Sequence, residues 1–333
     1  MNLIKLLLVC YLQLATSCSR LSIVENKLQL DNVYINNGTK AEGLLLNSRM
    51  IQGISDGFTS FPYPDTKKWD ANRNVVEFIT NMQHWKDAGL NGFTIGLQGG
   101  GPTSNTKQQN QKNSAFNGDG SLKPDYMNRL SLVLKEANRL DMIVIVSLFY
   151  QSQVSILSTY ENIVSATLNI IHWLQEQEFT NVIIEPVNEC DYGTFSKYNI
   201  GCNQKLIDIM DLVRSYHIPV GNSYKGSGNY PSDSIIKHSD VIFLHGNSMK
   251  STGELDTQLA KVKSSPSYKN QPIIYNEAGT TSYVSWAIKN SVGWGYYDQG
   301  SNNYVDGFQS PPVNWSINTK NKKNFFDSIA KNL

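Results

Sequence analysis

The 333-residue sequence predicts one (β/α)8 barrel preceded by a short β-hairpin lead-in. Three observations carry that expectation. Apolar, β-favouring runs alternate with helical stretches along the chain, the pattern of parallel βαβ units. Eight of each follow the lead-in within roughly 280 residues, a usual length for a single barrel. The competing open doubly wound sheet would begin with a G-x-G-x-x-G turn, and the first βα turn has none. The three glycines at 99–101 stand in a loop and are a weak phosphate signal.

Residues 1–17 read as an export leader. Lys5 is basic, 6–14 are apolar, and Ala15-Thr16-Ser17 are small residues just before Cys18. The run is too short for a stable membrane span. It resembles a bacterial lipobox, with Ala15 where leucine is usual, so Cys18 is expected to carry lipid; plain secretion is the alternative. Residues 18–48 form the lead-in, whose alternation at 28–35 suggests a hairpin plugging the barrel's lower end. The barrel is expected over 49–333.

Its first strand is placed at 50–55. A helix at 74–88 ends at Gly89, a good stop signal, and a strand follows at 92–98. After a long polar loop (99–121), Pro124 opens a helix at 124–140. Strand 142–149 is strongly apolar, and a helix at 157–177 leads to strand 182–187. The second half repeats the pattern. Its helices are expected at 203–216, 232–238, 253–264, 282–289 and 318–331, and its strands at 218–222, 240–245, 272–276 and 292–297.

Composition limits the partners. Lys and Arg total 29 against 28 Asp and Glu, so no net field attracts nucleic acid or an anionic membrane. Charged residues are 17%, and Tyr numbers 17 in a chain rich in Asn, Gln, Ser and Thr. Such a surface suits an uncharged, hydroxyl-rich ligand. The chain is expected to be a monomer that touches a membrane only through lipid at Cys18. Cys190 and Cys202 lack Cys-x-x-Cys or His partners at ligand spacing, so a disulfide is favoured over a metal site.

The chemistry is concentrated in two strand ends. Residues 183–190 read I-I-E-P-V-N-E-C, and 272–279 read P-I-I-Y-N-E-A-G. Each is an apolar run that stops at a carboxylate, Glu189 and Glu277. They end the fourth and seventh barrel strands, so both project from the C-terminal face where barrel active sites form. Paired carboxylates are what acid/base and nucleophilic work on a glycosidic bond requires.

Here the sequence resembles the clan of retaining (β/α)8 glycoside hydrolases that includes the family 5 cellulases and mannanases. Its members typically show E-x-x-N-E-P on the fourth strand and E-x-G on the seventh. This chain has Glu185-Pro-Val-Asn188-Glu189-Cys190 and Glu277-Ala-Gly279. The resemblance implies Glu189 as acid/base, Glu277 as nucleophile, Asn188 on the sugar 2-hydroxyl, a carbohydrate substrate, and no cofactor or metal. His245 ends the sixth strand where the clan places a His or Tyr near the nucleophile, with Asn247 just beyond. Tyr150 and Gln151 follow the third strand, where many family 5 members carry His, so the chain is expected to be divergent. Gln98 is a further candidate after the second strand. On the last strand Tyr297 is placed as the aromatic platform for a sugar ring, with Trp294 deeper. Glu185 shares the facing of Glu189 and reads as a structural carboxylate inside the barrel.

Two other function classes fit this pattern. One is a catalytically silent glycan-binding surface lipoprotein on the same fold. The other is a metal-dependent barrel hydrolase, which would need a His/Asp cluster, yet His245 is the only histidine at a strand end. The long loops 99–121 and 299–315 are expected to converge and close one end of the cleft. That favours release of small sugars from a chain end.

Overall fold

The computed structural model describes residues 20–57, 61–99, 112–300 and 304–333. The leader, Cys18 and the centre of the 99–121 loop lie outside the described residues.

A three-stranded antiparallel sheet comes first: β1 (Leu21–Val24), β2 (Lys27–Leu30) and β3 (Val33–Tyr34). Its apolar side chains Leu21, Leu28, Leu30 and Ile35 pack with Leu45, Ile143, Ile145, Ile183, Val241, Phe243 and Ile274. These latter residues face the barrel interior from five parts of the ring, so the hairpin seals the lower end as the sequence suggests.

Seven parallel strands follow: β4 (Leu46–Arg49), β5 (Gly92–Gly96), β6 (Ile143–Phe149), β7 (Val182–Val187), β8 (Ile242–His245), β9 (Ile273–Ala278) and β10 (Gly293–Tyr296). They are ordered β7-β6-β5-β4-β10-β9-β8 in one sheet. The expected strand at 218–222 is a single bridge, Ile184 to Val220, but it still spans the seam between β7 and β8. Ile184 N–H donates to Pro219 O at 2.9 Å, and Val241 N–H donates to Val220 O at 3.2 Å. Pro219 has no N–H for a ladder. Beyond it, side chains take over the pairing: Val187 N–H donates to Asn222 Oδ1 (2.9 Å) and Glu189 N–H to Ser223 Oγ (3.0 Å).

The first barrel strand lies at 46–49, not 50–55. Inward-facing Asn47 and Arg49 interrupt its apolar pattern, which hides it from a hydropathy reading. The apolar stretch that follows is a 3-10 turn, Ile51–Ile54, packed against Phe78.

Helices cover the outside: α1 (Ala71–Asp87), α2 (Pro124–Arg139), α3 (Tyr160–Glu176), α4 (Gly193–Lys197), α5 (Gln204–Ser215), α6 (Asp233–Lys237), α7 (Thr252–Lys263), α8 (Val284–Lys289) and α9 (Lys320–Ala330). Their starts follow capping chemistry. Asp70 accepts from Asn72 and Arg73 N–H, Thr159 caps α3, Asn203 α5, Ser232 α6, Ser251 α7 and Thr319 α9. The short α4 lies inside the loop closed by the Cys190–Cys202 disulfide, the pairing expected from the sequence. Among the described residues no helix is long and apolar enough to cross a membrane.

Candidate active site

A polar cavity of about 300 Å³ opens at the C-terminal ends of the strands. Glu189 and Glu277 both line it, as do Asn188, Tyr150, Gln151, Asn247 and Tyr297. The barrel thus gathers seven of the sequence-identified residues around one space. His245 lies directly beneath, fully buried, with Nδ1 3.0 Å from Glu189 Oε1 and 3.6 Å from Glu277 Oε2.

Two backbone irregularities aim the glutamates. Between β8 and β9 the register shifts: Leu244 faces Tyr275, but His245 faces Glu277. The extra residue lets Asn276 and Glu277, neighbours in sequence, both turn inward. Asn276 Nδ2 donates to Glu185 Oε1 at 3.4 Å, while Glu277 reaches Arg49 and Asn247. Glu189 sits just past β7 with φ of 54°, in the left-handed region that costs a non-glycine residue about 1–3 kcal/mol. Its own N–H on Ser223 Oγ, the N–H of Cys190 on Ser223 O (3.1 Å), and the disulfide beside it hold that conformation.

Arg49 organises the cavity floor. Its Nε donates to Glu277 Oε2 at 2.9 Å, its Nη2 to Asn188 Oδ1 at 2.7 Å, and its Nη1 lies 4.0 Å from Glu185 Oε2. Asn188 Nδ2 in turn donates to Gln151 Oε1 at 3.4 Å. The sequence reading missed Arg49 because it misplaced the first strand; a lone cation in an otherwise uncharged, strand-like run was the available signal. Asn247 Nδ2 donates to Glu277 Oε1 at 2.6 Å. Its backbone O accepts from Ser227 N–H (3.0 Å), and Gly226 passes so close that a Cβ there would collide with the Asn247 side chain. Tyr192, Ser248, Gln299 and Gln309 also line the cavity and were not anticipated. Gln309 donates to the Arg49 carbonyl, which ties the loop after β10 to the first strand.

Two candidates fall elsewhere. Gln98 accepts from Tyr150 N–H (3.0 Å) and donates to Ser114 Oγ (3.3 Å), so it braces the loop after β6 and does not line the cavity. Trp294 lies on the outer face of β10, packed with Tyr275, Trp286 and Tyr283, and donates to Thr280 O. In a four-residue strand of alternating facing, Trp294 and the cavity-lining Tyr297 fall on opposite sides. Of the 99–121 loop, no described residue lines the cavity, whereas the loop after β10 contributes Gln299 and Gln309.

The electrostatics follow from burial and these contacts. Burial pushes the Glu277 carboxyl up; His245 and Arg49 oppose it, Glu189 and Glu185 reinforce it, and the result stays above the usual carboxylate range. Burial also raises Glu189, but the hydrogen bond and charge of His245, with Arg49 and Lys225, outweigh it and hold Glu189 below that range. Burial opposes the His245 charge, and the two glutamates overcome it to raise the imidazole. One oxygen from each glutamate and a His245 nitrogen lie within 4.8 Å of one another, a spacing a cation can bridge. The Arg49 guanidinium already places a fixed positive charge against Glu277 there, which disfavours a metal ion.

No protein-family model and no curated protein sequence matches the chain. Solved structures match it along nearly its full length. An endo-1,4-beta-mannanase from Rhizomucor miehei aligns with a TM-score of 0.57 and 12% identity, covering 94% of this chain and 100% of that one. A family 5 glycoside hydrolase from Bacteroides vulgatus aligns at 0.57 and 13%, covering 95% and 70%. A GH5-4 broad specificity endoglucanase from an uncultured bacterium aligns at 0.56 and 9%, covering 89% and 96%. At such identities the likeness establishes the fold, a (β/α)8 barrel of the type these glycoside hydrolases share.

Proposed function

We propose that this chain is a retaining glycoside hydrolase acting on an extracellular poly- or oligosaccharide, with Glu277 as nucleophile and Glu189 as general acid/base. The observation that carries the reading is two buried glutamates facing one polar cavity, with an oxygen of each within 4.8 Å of the other. Retaining enzymes hold their carboxyls about 5–5.5 Å apart, whereas inverting ones leave a gap of about 6.5–9.5 Å for water. The fold shared with glycoside hydrolases agrees, and their names make glucans and β-1,4-linked mannans the first substrates to try.

In this reading Glu277 attacks the anomeric carbon as Glu189 protonates the departing oxygen. A water, deprotonated by Glu189, then cleaves the glycosyl ester and frees Glu277. Arg49 and Asn247 hold one Glu277 oxygen each, which fixes its attack angle. Glu189 must hold a proton when substrate is bound. A neutral sugar strips water from Glu189, the more exposed of the two at 8% against 5%, and so raises it toward the protonated form. Once Glu277 is esterified its negative charge is gone, Glu189 becomes more acidic, and it serves as base. Asn188, held by Arg49, would bond the 2-hydroxyl, and Tyr297 would lie against a sugar ring.

The test is a pair of variants. Glu189→Ala and Glu277→Ala should each lose several orders of magnitude in turnover while staying folded, and azide should restore activity with different products. Near-wild-type rates in both would end the proposal, and an inverted anomer as first product by proton NMR would remove Glu277 from the nucleophile role. Export through 1–17 with lipid on Cys18 belongs to the same proposal, and the Cys190–Cys202 disulfide supports an oxidising compartment. An intact mass of the mature protein that begins at Cys18 plus diacylglycerol and acyl groups would bear this out; an unprocessed Met1 would refute it.

A further inference from the structure

Glu185 stands in β7, fully buried, and does not line the catalytic cavity. Two residues before it, on the same facing, Ile183 belongs to the apolar floor that the hairpin seals. Glu185 therefore sits where that floor meets the polar layer under the cavity. A carboxylate is costly in such a place unless its charge is matched and its oxygens are bonded. The groups that match it point to its role.

Each Glu185 oxygen meets a neighbour of Glu277. Oε2 lies 4.0 Å from Arg49 Nη1, and Oε1 accepts from Asn276 Nδ2 at 3.4 Å. Arg49 is the cation on Glu277 Oε2, and Asn276 precedes Glu277 in β9. Arg49 Nη1 has no hydrogen-bond partner among the described residues, so Glu185 supplies the anion at that end of the fork. The other two nitrogens hold Glu277 and Asn188. A planar guanidinium drawn toward an anion at one end and bonded at the other two is fixed in orientation. The Asn276 bond, in turn, pins the shifted stretch of β9 from which Glu277 projects.

Resting on the hydrolase reading above, we infer that Glu185 is a positioning residue, which sets the nucleophile from below by anchoring Arg49 against its carboxylate and Asn276 beside it in the chain. Anchoring Arg49 requires Glu185 to be ionised, and that has a measurable consequence. The titratable groups facing Glu277 are Arg49, His245, Glu189 and Glu185, with the Tyr150 and Tyr297 hydroxyls. Burial, Glu189 and Glu185 push Glu277 up, and His245 and Arg49 oppose them. Removing the Glu185 charge should therefore lower the Glu277 titration, the opposite of removing Arg49.

The experiment compares wild type with Glu185→Gln, Glu185→Asp, Arg49→Met and the double variant Arg49→Met/Glu185→Gln. One readout is the Glu277 titration, followed by carbon-13 NMR of protein labelled at the glutamate side-chain carboxyls and assigned with Glu277→Gln. The other is kcat and KM. Glu185→Gln keeps the shape and can still bond Asn276, whose Oδ1 has no partner among the described residues. Glu277 should then titrate lower by about half a pH unit or more, and kcat should fall about tenfold or more with little change in KM. Glu185→Asp keeps the charge and loses the reach, so kcat should fall while the titration stays within about 0.3 units. On Arg49→Met, adding Glu185→Gln should cost less than about threefold in kcat, because the anchor acts chiefly through Arg49. An unmoved titration in Glu185→Gln, or losses that multiply in the double variant, would overturn the assignment. Should Glu185→Gln not fold, Glu185→Asp decides, and wild-type kcat there would overturn it too. A wild type inactive on every glycoside would defeat the hydrolase reading instead, and the NMR titration would still decide whether Glu185 acts on Glu277.

Discussion

Replacing Arg49 tests the logic of the site most directly. Arg49→Met keeps an unbranched side chain but removes the guanidinium from a position 2% exposed. Two charge-assisted hydrogen bonds vanish, to Glu277 at 2.9 Å and to Asn188 at 2.7 Å, together with the cation nearest Glu185. Removing one partner of a buried ion pair costs about 3–5 kcal/mol, because the other charge stays behind unpaired. Part of that cost is avoided when Glu277 takes up a proton. Burial already pushes Glu277 up, and Arg49 is one of the groups that restrain it. Without Arg49 its pKa rises further, so the ionised nucleophile is lost at a higher pH as acid is added. The acid limb of kcat/KM should therefore move to higher pH. At the optimum, loss of positioning should cost about 10²–10³ in kcat/KM. Urea unfolding should show stability reduced by about 3 kcal/mol or more. Arg49→Lys restores the charge but not the fork, so it should recover much of the stability and little of the rate. If Arg49→Met unfolds at the wild-type midpoint and its pH profile is unmoved, the account of Glu277 is wrong.

Other expectations are more compact. Cys190→Ser with Cys202→Ser should destabilise the fold by ~3 kcal/mol on the chain-entropy account and free Glu189 from its left-handed backbone, read as a lower Tm and a lower kcat. Non-reducing peptide mapping that finds two alkylatable thiols in the wild type would remove the premise. Gly226→Ala should displace Asn247 from Glu277 and lower kcat about tenfold or more with little change in KM, and unchanged kcat would show that the turn is not a support. Burial pushes buried Lys322 down to about 7, against 10.5 when unfolded. Between about pH 7 and 9 the unfolded chain therefore holds one more proton than the folded one. Stability should rise with pH there by about 1.4 kcal/mol per unit, and Lys322→Met should flatten that slope. A flat wild-type profile would mean that the acceptors Asn314 O, Ser316 O and Asn318 Oδ1 keep the ammonium charged.

The elements that the sequence makes legible are those whose buried residues are mostly apolar. Strand β6 is apolar but for Ser147, β7 but for Glu185, and β9 opens on Ile273, Ile274 and Tyr275, so these strands stand out, as do Glu189 just past β7 and Glu277 near the end of β9. Strand β4 does not, because Asn47 and Arg49 point into a polar layer that only the closed barrel creates. The segment 219–223 looks like a strand in sequence but pairs by backbone only around Val220 and then through the Asn222 and Ser223 side chains, which no periodicity reveals. Within the site, Glu189, Glu277, Asn188, His245 and Asn247 announce themselves by position at strand ends. Gln98 does so equally and misleads, since its amide is spent on Tyr150 and Ser114. Tyr192, Gln299 and Gln309 come from loops, where no period fixes a facing, so only the folded chain brings them to the cavity.

The hairpin that seals the barrel has a consequence for how the chain acquires its structure. Leu21, Leu28 and Leu30 pack with Val241, Phe243 and Ile274, more than two hundred residues later in the chain. Contacts so distant in sequence are slow to form, because closing the intervening loop costs entropy before any burial repays it. The plug must wait for most of the barrel, and until it docks, the lower mouth exposes isoleucines and a phenylalanine. Docking of the plug should then be the last step of folding, with protease resistance of the barrel floor appearing only after it.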